Sequence, residues 1–276
     1  MHWEQVYSIR RLLSIKVRVG EIMLSVTPSK LTDYLTCPHK YKLKHINKIG
    51  DASYSAALAF GQSMHSALQD IHQSNRNLND FVEVSELLSR YWNAGAYAST
   101  EEDETYFLKG CQALKNYCSA YNCDKETTLG TEVYMSYILK IGSLQARMGC
   151  KADRICAHRN DVLEIVDYKT NSSGKVPTLE SLQKDLPTFL YYALARVTYP
   201  EYKCVRISFL NVLTLAKVSV EYDFEQVAAN KQNLFECLRN LDSKTFAPTL
   251  SEACSWCAFQ DSCPAFGKVV DFDRIV

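Results

Sequence analysis

The 276-residue sequence has no apolar run that approaches the roughly 18 residues needed to cross a membrane. It has no internal repeat and no low-complexity linker, and 31 basic residues balance 31 acidic ones. These absences disfavour a membrane-spanning protein and a repeat array. Because the net charge is zero, overall charge predicts no polyanionic partner either.

The sequence also lacks a secretory signal, and its 11 cysteines are an odd number. Both observations favour a reducing, intracellular compartment, and we predict a cytoplasmic protein. A hydrophobic content of 47% is sufficient for one large core. We therefore interpret residues 27–276 as a single domain and residues 1–26 as an N-terminal extension, although the basic residues within 1–22 resemble those of a targeting segment.

Four cysteines have a spacing that is typical of a metal centre. Cys37 precedes a proline, and Cys254, Cys257 and Cys263 form a C-x₂-C-x₅-C run that also ends in a proline. Thiolates this close can converge on an iron–sulfur cluster or on zinc, and the two Cys-Pro pairs favour a 4Fe–4S cluster. Such a centre would join the N-terminal helix to the C-terminal tail as a clasp. The alternative is four unrelated buried thiols.

The periodicity of apolar residues predicts a helical block followed by a sheet. A helix capped by Ser29 and a second helix opened by Gly61 precede further helices, so that about 61–128 is helical. The period then changes to two, which predicts strands at 131–141, 148–157, 162–169, 204–213 and 216–222. A helix follows at about 187–198, and another at 224–241 leads into the clasp, which ends at about 266. The fold class is therefore α/β, a central mixed sheet flanked by helices.

The sharpest local feature is a hairpin that carries two aspartates. Residues 158–161 form a polar turn, and a loop centred on Asn160 puts Asp153 opposite Asp167. Paired side chains lie about 4.5–5.5 Å apart at Cβ, where like charges are destabilising unless a cation lies between them. Carboxylates suit Mg²⁺ or Mn²⁺, and Lys169 shares the face of Asp167 and could orient an attacking water. The alternative is an ordinary edge hairpin with solvated acids.

Two weaker features accompany the hairpin. His65 lies on the apolar side of its predicted helix, where a lone histidine is more often a core residue than a ligand. Lys40, Lys42 and Lys44 cluster beside Cys37, with Tyr34 and Tyr41 nearby in the sequence. Basic residues interleaved with aromatics suit a nucleic-acid backbone with stacked bases, and a solvated helix face is equally consistent with them.

Together these motifs resemble the RecB-like branch of the PD-(D/E)XK nuclease superfamily, specifically its iron–sulfur members, which include the CRISPR adaptation exonucleases. The resemblance covers about 27–266, nearly the whole chain. Each motif is weak alone, and their order and spacing make them specific. They are Ser29-x-Leu31-x-x-Tyr34-x-x-Cys37-Pro38, Gly61-x-x-x-His65, Gly149-x-x-x-Asp153-Arg154, Ile165-Val166-Asp167-Tyr168-Lys169-Thr170 and the three C-terminal cysteines.

The resemblance implies a restriction-endonuclease-like core with a metal-dependent active site. His65, Asp153 and Asp167 would bind catalytic Mg²⁺ or Mn²⁺, with the Tyr168 carbonyl as a further ligand, and Lys169 would be the catalytic lysine. The 4Fe–4S cluster would be held by the four clasp cysteines, Cys37, Cys254, Cys257 and Cys263. The implied activity is hydrolysis of DNA phosphodiester bonds, as an exonuclease on single-stranded DNA or free ends. DNA repair, recombination or CRISPR adaptation would be its setting, with a helicase or CRISPR adaptation proteins as partners.

The sequence departs from the family at one point. The family usually carries Gln-x-x-x-Tyr on the helix after the lysine strand; here Tyr191 is present as a DNA-facing residue, but Pro187 or Thr188 stands where glutamine is expected. Glu132 on the preceding strand is a candidate for a position near the metals, although it is more easily interpreted as structural. The departure and the zero net charge support a rival class, a non-catalytic iron–sulfur DNA-binding or scaffold protein with a degenerate site. A zinc-stapled enzyme of unrelated chemistry is a third possibility.

Overall fold

The computed structural model describes residues 23–50, 55–74, 78, 80–120 and 126–267. The prediction for residues 1–22 therefore lies outside the described residues. The strands are β1 (Leu24–Val26), β2 (Thr127–Ile141), β3 (Leu144–His158), β4 (Val162–Lys169), β5 (Cys204–Asn211) and β6 (Lys217–Val220). The longer helices are α1 (Pro28–Thr36), α3 (Ala56–Gln73), α4 (Phe81–Ser89), α5 (Thr100–Ala120), α7 (Leu186–Thr198) and α8 (Phe224–Asp242). The shorter ones are α2 (Pro38–Tyr41), a π-helical turn at Lys42–Ile46, and α6 (Leu179–Lys184).

The six strands form one mixed sheet, which confirms the predicted fold class. Their order is β1-β3-β4-β5-β6, with β2 paired to β3 on its other edge. The β1–β3 and β4–β5 pairs are parallel, and the remaining pairs are antiparallel. Because β1 is part of the sheet, the sheet begins before residue 27, where we had placed the start of the domain. No helix within the described residues is both long and apolar enough to cross a membrane.

One edge of β3 is shared between two strands. β1 pairs with β3 residues 146–148, and β4 pairs with β3 residues 154–158. Residues 149–153 lie between these two partners. The strands β3 and β4 therefore part at Asp153, and this fork in the sheet positions the site described below.

The predicted β3–β4 hairpin register is confirmed. Arg154 lies opposite Val166, and the ladder continues to the pair at the turn, His158 and Val162. The loop closes through Asn160 and its neighbour Asp161, which adopt left-handed φ values of 66° and 60°. Polar side chains such as these tolerate that conformation better than most others.

Helices cover both faces of the sheet. On one face, apolar residues of β3, β4 and β5 pack with α7 and α8 in the larger core. On the other face, a second core joins the sheet to the helical block, defined here as α3, α4 and α5. The block therefore lies against the sheet along the strands that form the hairpin.

Two predicted helix starts are wrong. The cap of α1 is Thr27 rather than Ser29, because the Thr27 hydroxyl accepts the Lys30 N–H and a proline occupies the first turn. Gly61 does not open its helix: α3 begins five residues earlier behind the cap Ser55. Gly61 instead lies where α3 passes closest to the sheet, since a Cβ there would meet Thr170 Oγ1 at 3.1 Å.

A buried hydrogen-bond network fastens the helical block to the sheet. The Tyr117 hydroxyl of α5 lies 2.8 Å from the Tyr168 hydroxyl of β4 and 2.7 Å from His72 Nε2 of α3. Arg154 of β3 donates to Tyr117 at 3.1 Å and is 2% exposed. Buried polar groups are costly unless they are paired, so this network favours one docking of the block.

Replacing His72 with glutamine should flatten the acid dependence of stability. Burial, followed by the charge of Arg154, lowers the pKa of His72 from 6.5 to about 3. Between these pH values the unfolded chain binds a proton at His72 that the folded chain does not. The free energy of unfolding should therefore fall as the pH drops below about 6.5, by at most ~1.4 kcal/mol per pH unit from this residue.

Urea denaturation between pH 7 and pH 5 measures that slope, since most carboxylates titrate below this range. The wild type should lose stability across the interval more steeply than His72→Gln. Equal slopes for the two proteins would show that His72 remains free to take up a proton in the folded state.

Candidate active site and cysteine cavity

Four predicted site residues meet at the fork between β3 and β4. Beyond the ladder, Asp153 accepts a hydrogen bond from the Tyr168 N–H at 2.7 Å, so a carboxylate replaces a backbone partner there. His65 Nδ1 of α3 lies 3.4 Å from Asp153 Oδ1, and Lys169 Nζ lies 2.6 Å from Asp167 Oδ1. The structure therefore brings together residues that are far apart in the sequence.

The two aspartates repel one another electrostatically. The pKa of Asp167 is raised, first by burial and also by the charge of Asp153, although Lys169 and His65 act against the rise. Burial alone would lower the pKa of His65, but its hydrogen bond to Asp153 and the charges of the surrounding acids outweigh burial and raise it. The site therefore carries excess negative charge that favours any cation.

Glu132 is also part of this site, although the sequence favoured a structural role for it. Ligand atoms of Glu132, His65 and Asp153 all lie within 4.8 Å of one another. We had interpreted Glu132 as structural because the strand pattern alone does not show where its side chain points. Its backbone is left-handed, with a φ of 54°, and a register shift occurs in β2 between Thr128 and Gly130. These irregularities turn the Glu132 side chain toward His65 and Asp153, and they cannot be recognised from the alternation of apolar and polar residues along the strand.

The donor set fits a divalent cation of the Mg²⁺ or Mn²⁺ kind. Carboxylate oxygens are the ligands that these hard cations prefer, and they bind through few protein groups because they retain water and substrate oxygens. An imidazole also suits a transition-metal ion such as Mn²⁺. The lysines Lys151 and Lys169 each pair with one of the acids, Glu132 and Asp167 respectively.

A second cluster of metal-ligand types, at the turn end of the hairpin, is already neutralised. Glu126 pairs with Arg154, and Glu164 pairs with Lys217 at 2.7 Å. His158 Nε2 lies between these acids, 2.6 Å from Glu164 and 3.4 Å from Glu126. Because each carboxylate already has a cationic partner, we interpret this cluster as a set of ion pairs rather than as a metal site.

Tyr191 lies at the site, whereas the position expected for glutamine does not offer a free polar group. The Tyr191 hydroxyl is 3.5 Å from Asp167 Oδ2 and 3.4 Å from the Lys151 carbonyl oxygen. Burial, followed by the charge of Asp167, raises the pKa of Tyr191. Thr188 is fully buried, and its hydroxyl and N–H bind Asp185, which caps α7. At the position where the family has glutamine, the Thr188 side chain is therefore engaged in capping α7.

Two cavities of about 490 Å³ each flank the fork. One is lined by His65, Glu132 and Asp153, together with polar residues of α3. The other is lined by Asp167, Lys169 and residues of α1, α6 and α7. The candidate ligands thus line two cavities of ligand-binding size, with His65, Glu132 and Asp153 in one and Asp167 in the other.

The lysines predicted to contact DNA are not all free. Lys40 and Lys44 pair with Asp33, at 2.9 Å and 3.2 Å, and Asp33 is 6% exposed. Lys44 nevertheless lines the cavity that contains Asp167. Lys42 lies on the surface of the π-helical turn. Their contact with DNA remains a prediction.

The four clasp cysteines line one cavity of about 410 Å³. Cys37 lies between α1 and α2, Cys254 lies on a short 3₁₀ turn of the C-terminal tail, and Cys257 and Cys263 each directly follow such a turn. These four cysteines are unbridged thiols. Cysteines from two segments that are far apart in the sequence therefore line the same cavity, and the clasp itself remains a prediction.

The surroundings of the cysteine cavity suit a group held by thiolates. The Thr249 N–H points to Cys37 Sγ at 3.4 Å, and the Ser251 N–H points to Cys254 Sγ at 3.5 Å. Such bonds stabilise sulfur that carries negative charge and are typical around metal-bound thiolates. His39 also lines the cavity, and its Nε2 is buried with no hydrogen-bond partner among the described residues. An orphaned polar atom beside four thiols indicates a site for a further polar or charged group.

Comparison with known proteins gives a family match and two distant structural likenesses. A family model for the PD-(D/E)XK nuclease superfamily matches residues 25–264. The crystal structure of SSO0001 is 14% identical, with a TM-score of 0.40, and the match covers 96% of this chain and 97% of that one. A protein of Eubacterium rectale that is provisionally named an exonuclease is 12% identical, with a TM-score of 0.49, and covers 88% and 93%.

The search of curated proteins gave no match. The family model, however, spans most of the chain, including the fork and all four clasp cysteines. The chain therefore belongs to the PD-(D/E)XK nuclease superfamily, whose members hydrolyse phosphodiester bonds with divalent metal ions.

Proposed function

We propose that the chain is a metal-dependent DNA exonuclease of the RecB-like branch that acts on single-stranded DNA. The observation that carries this proposal is the meeting of His65, Asp153, Asp167 and Lys169 at the fork between β3 and β4. Acids crowded at an unpaired strand edge, with a lysine and an imidazole beside them, suit phosphate chemistry better than they suit a structural hairpin.

In this proposal the acids and the imidazole bind the cation. His65, Asp153 and Asp167 hold it, and the Tyr168 carbonyl and the Glu132 carboxylate are further ligands. A divalent cation supplies Lewis-acid polarisation of the scissile phosphate and makes hydroxide accessible at neutral pH. The hydrogen bond from the Tyr168 N–H keeps one Asp153 oxygen engaged, so the other oxygen, which faces His65, is the one available for binding.

Lys169 contributes the remaining chemistry. Its ammonium lies 2.6 Å from Asp167 and is 41% exposed, so it reaches both the carboxylate and an incoming phosphate. A cation bound at Asp167 would release Lys169 from this pair. The freed ammonium could then orient the attacking water and offset charge that develops on the phosphate.

The shape of the site supports a single strand as substrate. The two cavities on either side of the fork give a strand a path across the acids, with the scissile phosphate at their boundary. Tyr191 lies at that boundary and offers a hydroxyl to the strand. The helical block borders the cavity lined by His65, Glu132 and Asp153, which we call the α3 cavity. In this position the block would favour threading of a free end and hence exonuclease action.

We further propose that the clasp cysteines hold a 4Fe–4S cluster. The cluster would connect α2, which carries Lys40, to the C-terminal tail and would hold this segment beside the active site. The chain from β1 onward would then form one nuclease domain closed by the clasp. Because the chain offers no helicase motif, duplex DNA would need a helicase partner, and CRISPR adaptation proteins are the other partners that the family suggests.

Replacing Lys169 with alanine should abolish most of the activity. The variant removes the ammonium proposed to offset the charge that develops on the phosphate in the transition state, so the rate should fall by about 10²-fold or more. The assay uses labelled single-stranded DNA with Mg²⁺ or Mn²⁺ and protein purified without oxygen. Lys184→Ala is the control, because Lys184 is an exposed, ion-paired lysine on α6.

The rival function predicts a different outcome for the same assay. A non-catalytic DNA-binding or scaffold protein would bind the labelled strand and leave it intact, with or without Lys169. Degradation at the same rate by both proteins would point to a contaminating nuclease and would equally count against the proposed site.

Linear and circular single strands of the same sequence should separate exonuclease from endonuclease action. An enzyme that threads a free end should degrade the linear strand and leave the circle intact over the same period. Labels at the 5′ and 3′ ends then give the polarity. Cleavage of both substrates at similar rates would contradict end-dependent cutting while leaving the proposed nuclease activity in place.

Replacing Cys257 with serine should destabilise the fold. A centre that joins distant parts of the chain acts as a long-loop cross-link, so its loss should cost several kcal/mol, on the order of 3–5. Chemical denaturation and trypsin sensitivity measure this loss, with Cys204→Ser, a cysteine outside the cavity, as the control. A soluble and fully active Cys257→Ser protein would contradict the clasp.

The identity of the bound group is a separate measurement. A brown preparation with absorbance near 400 nm that contains iron and sulfide would support the cluster. A colourless protein with one zinc per chain would instead support the zinc-stapled alternative.

A further inference from the structure

Lys151 occupies the position that a cation would take at Glu132. Lys151 lies on β3 two residues before Asp153, so both side chains leave the strand on the same side. Its ammonium forms an ion pair with Glu132 Oε2, and the same carboxylate lies beside His65 and Asp153. The Lys151 ammonium therefore supplies the positive charge that a bound metal ion would supply at this candidate ligand.

The left-handed backbone of Glu132 indicates that its pairing with Lys151 has a functional role. A left-handed backbone is uncommon for a residue with a Cβ, and it occurs here inside a long strand. Conformations of this kind persist only where the surroundings hold them, and they cluster at functional sites. The exposed pair with Lys151 is too weak to be the reason, because its lysine is 60% exposed and such pairs contribute little to stability.

The surroundings of Lys151 suit a nucleic-acid strand. It lines the α3 cavity together with Gln62 and Gln69, which lie on the face of α3 that also carries His65. A lysine is a flexible point charge that binds phosphate without a demanding geometry. The amide side chains beside it can donate hydrogen bonds to sugar or base edges.

We propose that Lys151 is a substrate-positioning residue that exchanges partners. In the metal-free protein it neutralises Glu132; when a divalent cation takes its place there, its ammonium binds a phosphate of the DNA strand in the α3 cavity. This inference rests on the proposed function and adds to it a second lysine, on the opposite side of the fork from Lys169.

The exchange predicts opposite effects of one substitution on two equilibria. Lys151→Ala removes a competitor for Glu132, so Mn²⁺ should bind about two- to fivefold more tightly, as expected for loss of an exposed ion pair. The same variant loses a phosphate contact, so single-stranded DNA should bind about threefold or more weakly. The slope of log affinity against log salt should fall in magnitude by about 0.7.

Both equilibria can be measured without turnover. Titration calorimetry gives Mn²⁺ affinity, and fluorescence anisotropy with Ca²⁺ in place of Mg²⁺ gives the binding of a labelled oligonucleotide. Lys151→Arg should retain most of the DNA affinity, because it keeps the charge. Lys203→Ala is the matched control, since Lys203 is 77% exposed and pairs with Asp161 at the far end of the hairpin.

The outcomes distinguish the exchange from a structural role and from a failure of the proposed function. Unchanged Mn²⁺ and DNA affinities in Lys151→Ala, or a parallel loss of both, would overturn the exchange while the wild type still binds and cleaves DNA. A wild type that binds neither Mn²⁺ nor DNA would overturn the proposed function itself, and the inference with it. Opposite shifts, with melting temperatures unchanged, would support it.

Discussion

The crowding of carboxylates at the fork between β3 and β4 is the constraint on which the rest of the site depends. Where the backbone ladder ends, the Asp153 carboxylate accepts the hydrogen bond of the Tyr168 N–H, and Asp167 lies buried beside it. Burial and the charge of Asp153 raise the pKa of Asp167, and the surrounding lysines and histidine partly offset the negative charge of the two acids. The separation of the strands opens a space beside these acids, where a divalent cation is the group that we propose to take over this role.

The helical block extends this constraint to the rest of the fold. Its helix α3 contacts the sheet twice, through His65 at the fork and through His72 in the buried network with Tyr117. The close approach at Gly61, which faces Thr170 at the end of β4, permits the first contact. One helix therefore carries both a candidate ligand and the anchor that keeps this ligand in place.

The sequence was sufficient to predict the hairpin and the meeting of the cysteines, because both depend on local or pairwise rules. The turn at Asn160 determines which residues of β3 and β4 oppose one another, and the spacing of Cys254, Cys257 and Cys263 is a property of one short segment. Glu132 could not be placed in this way, since its direction depends on a register shift and a left-handed backbone. The pairing of Lys40 with Asp33 could not be predicted either, because the sequence does not show that a single buried acid pairs with several basic side chains.

The segment from Pro38 to Ile46 lies between the two sites of the molecule. Lys40, at its beginning, lines the cysteine cavity; Lys44, further along, lines the cavity that contains Asp167; and both hold Asp33. Oxygen damage to the proposed 4Fe–4S cluster would release one end of this segment while leaving every acid at the fork intact. A preparation exposed to air would then lose activity with no chemical change at the acids proposed to bind the metal.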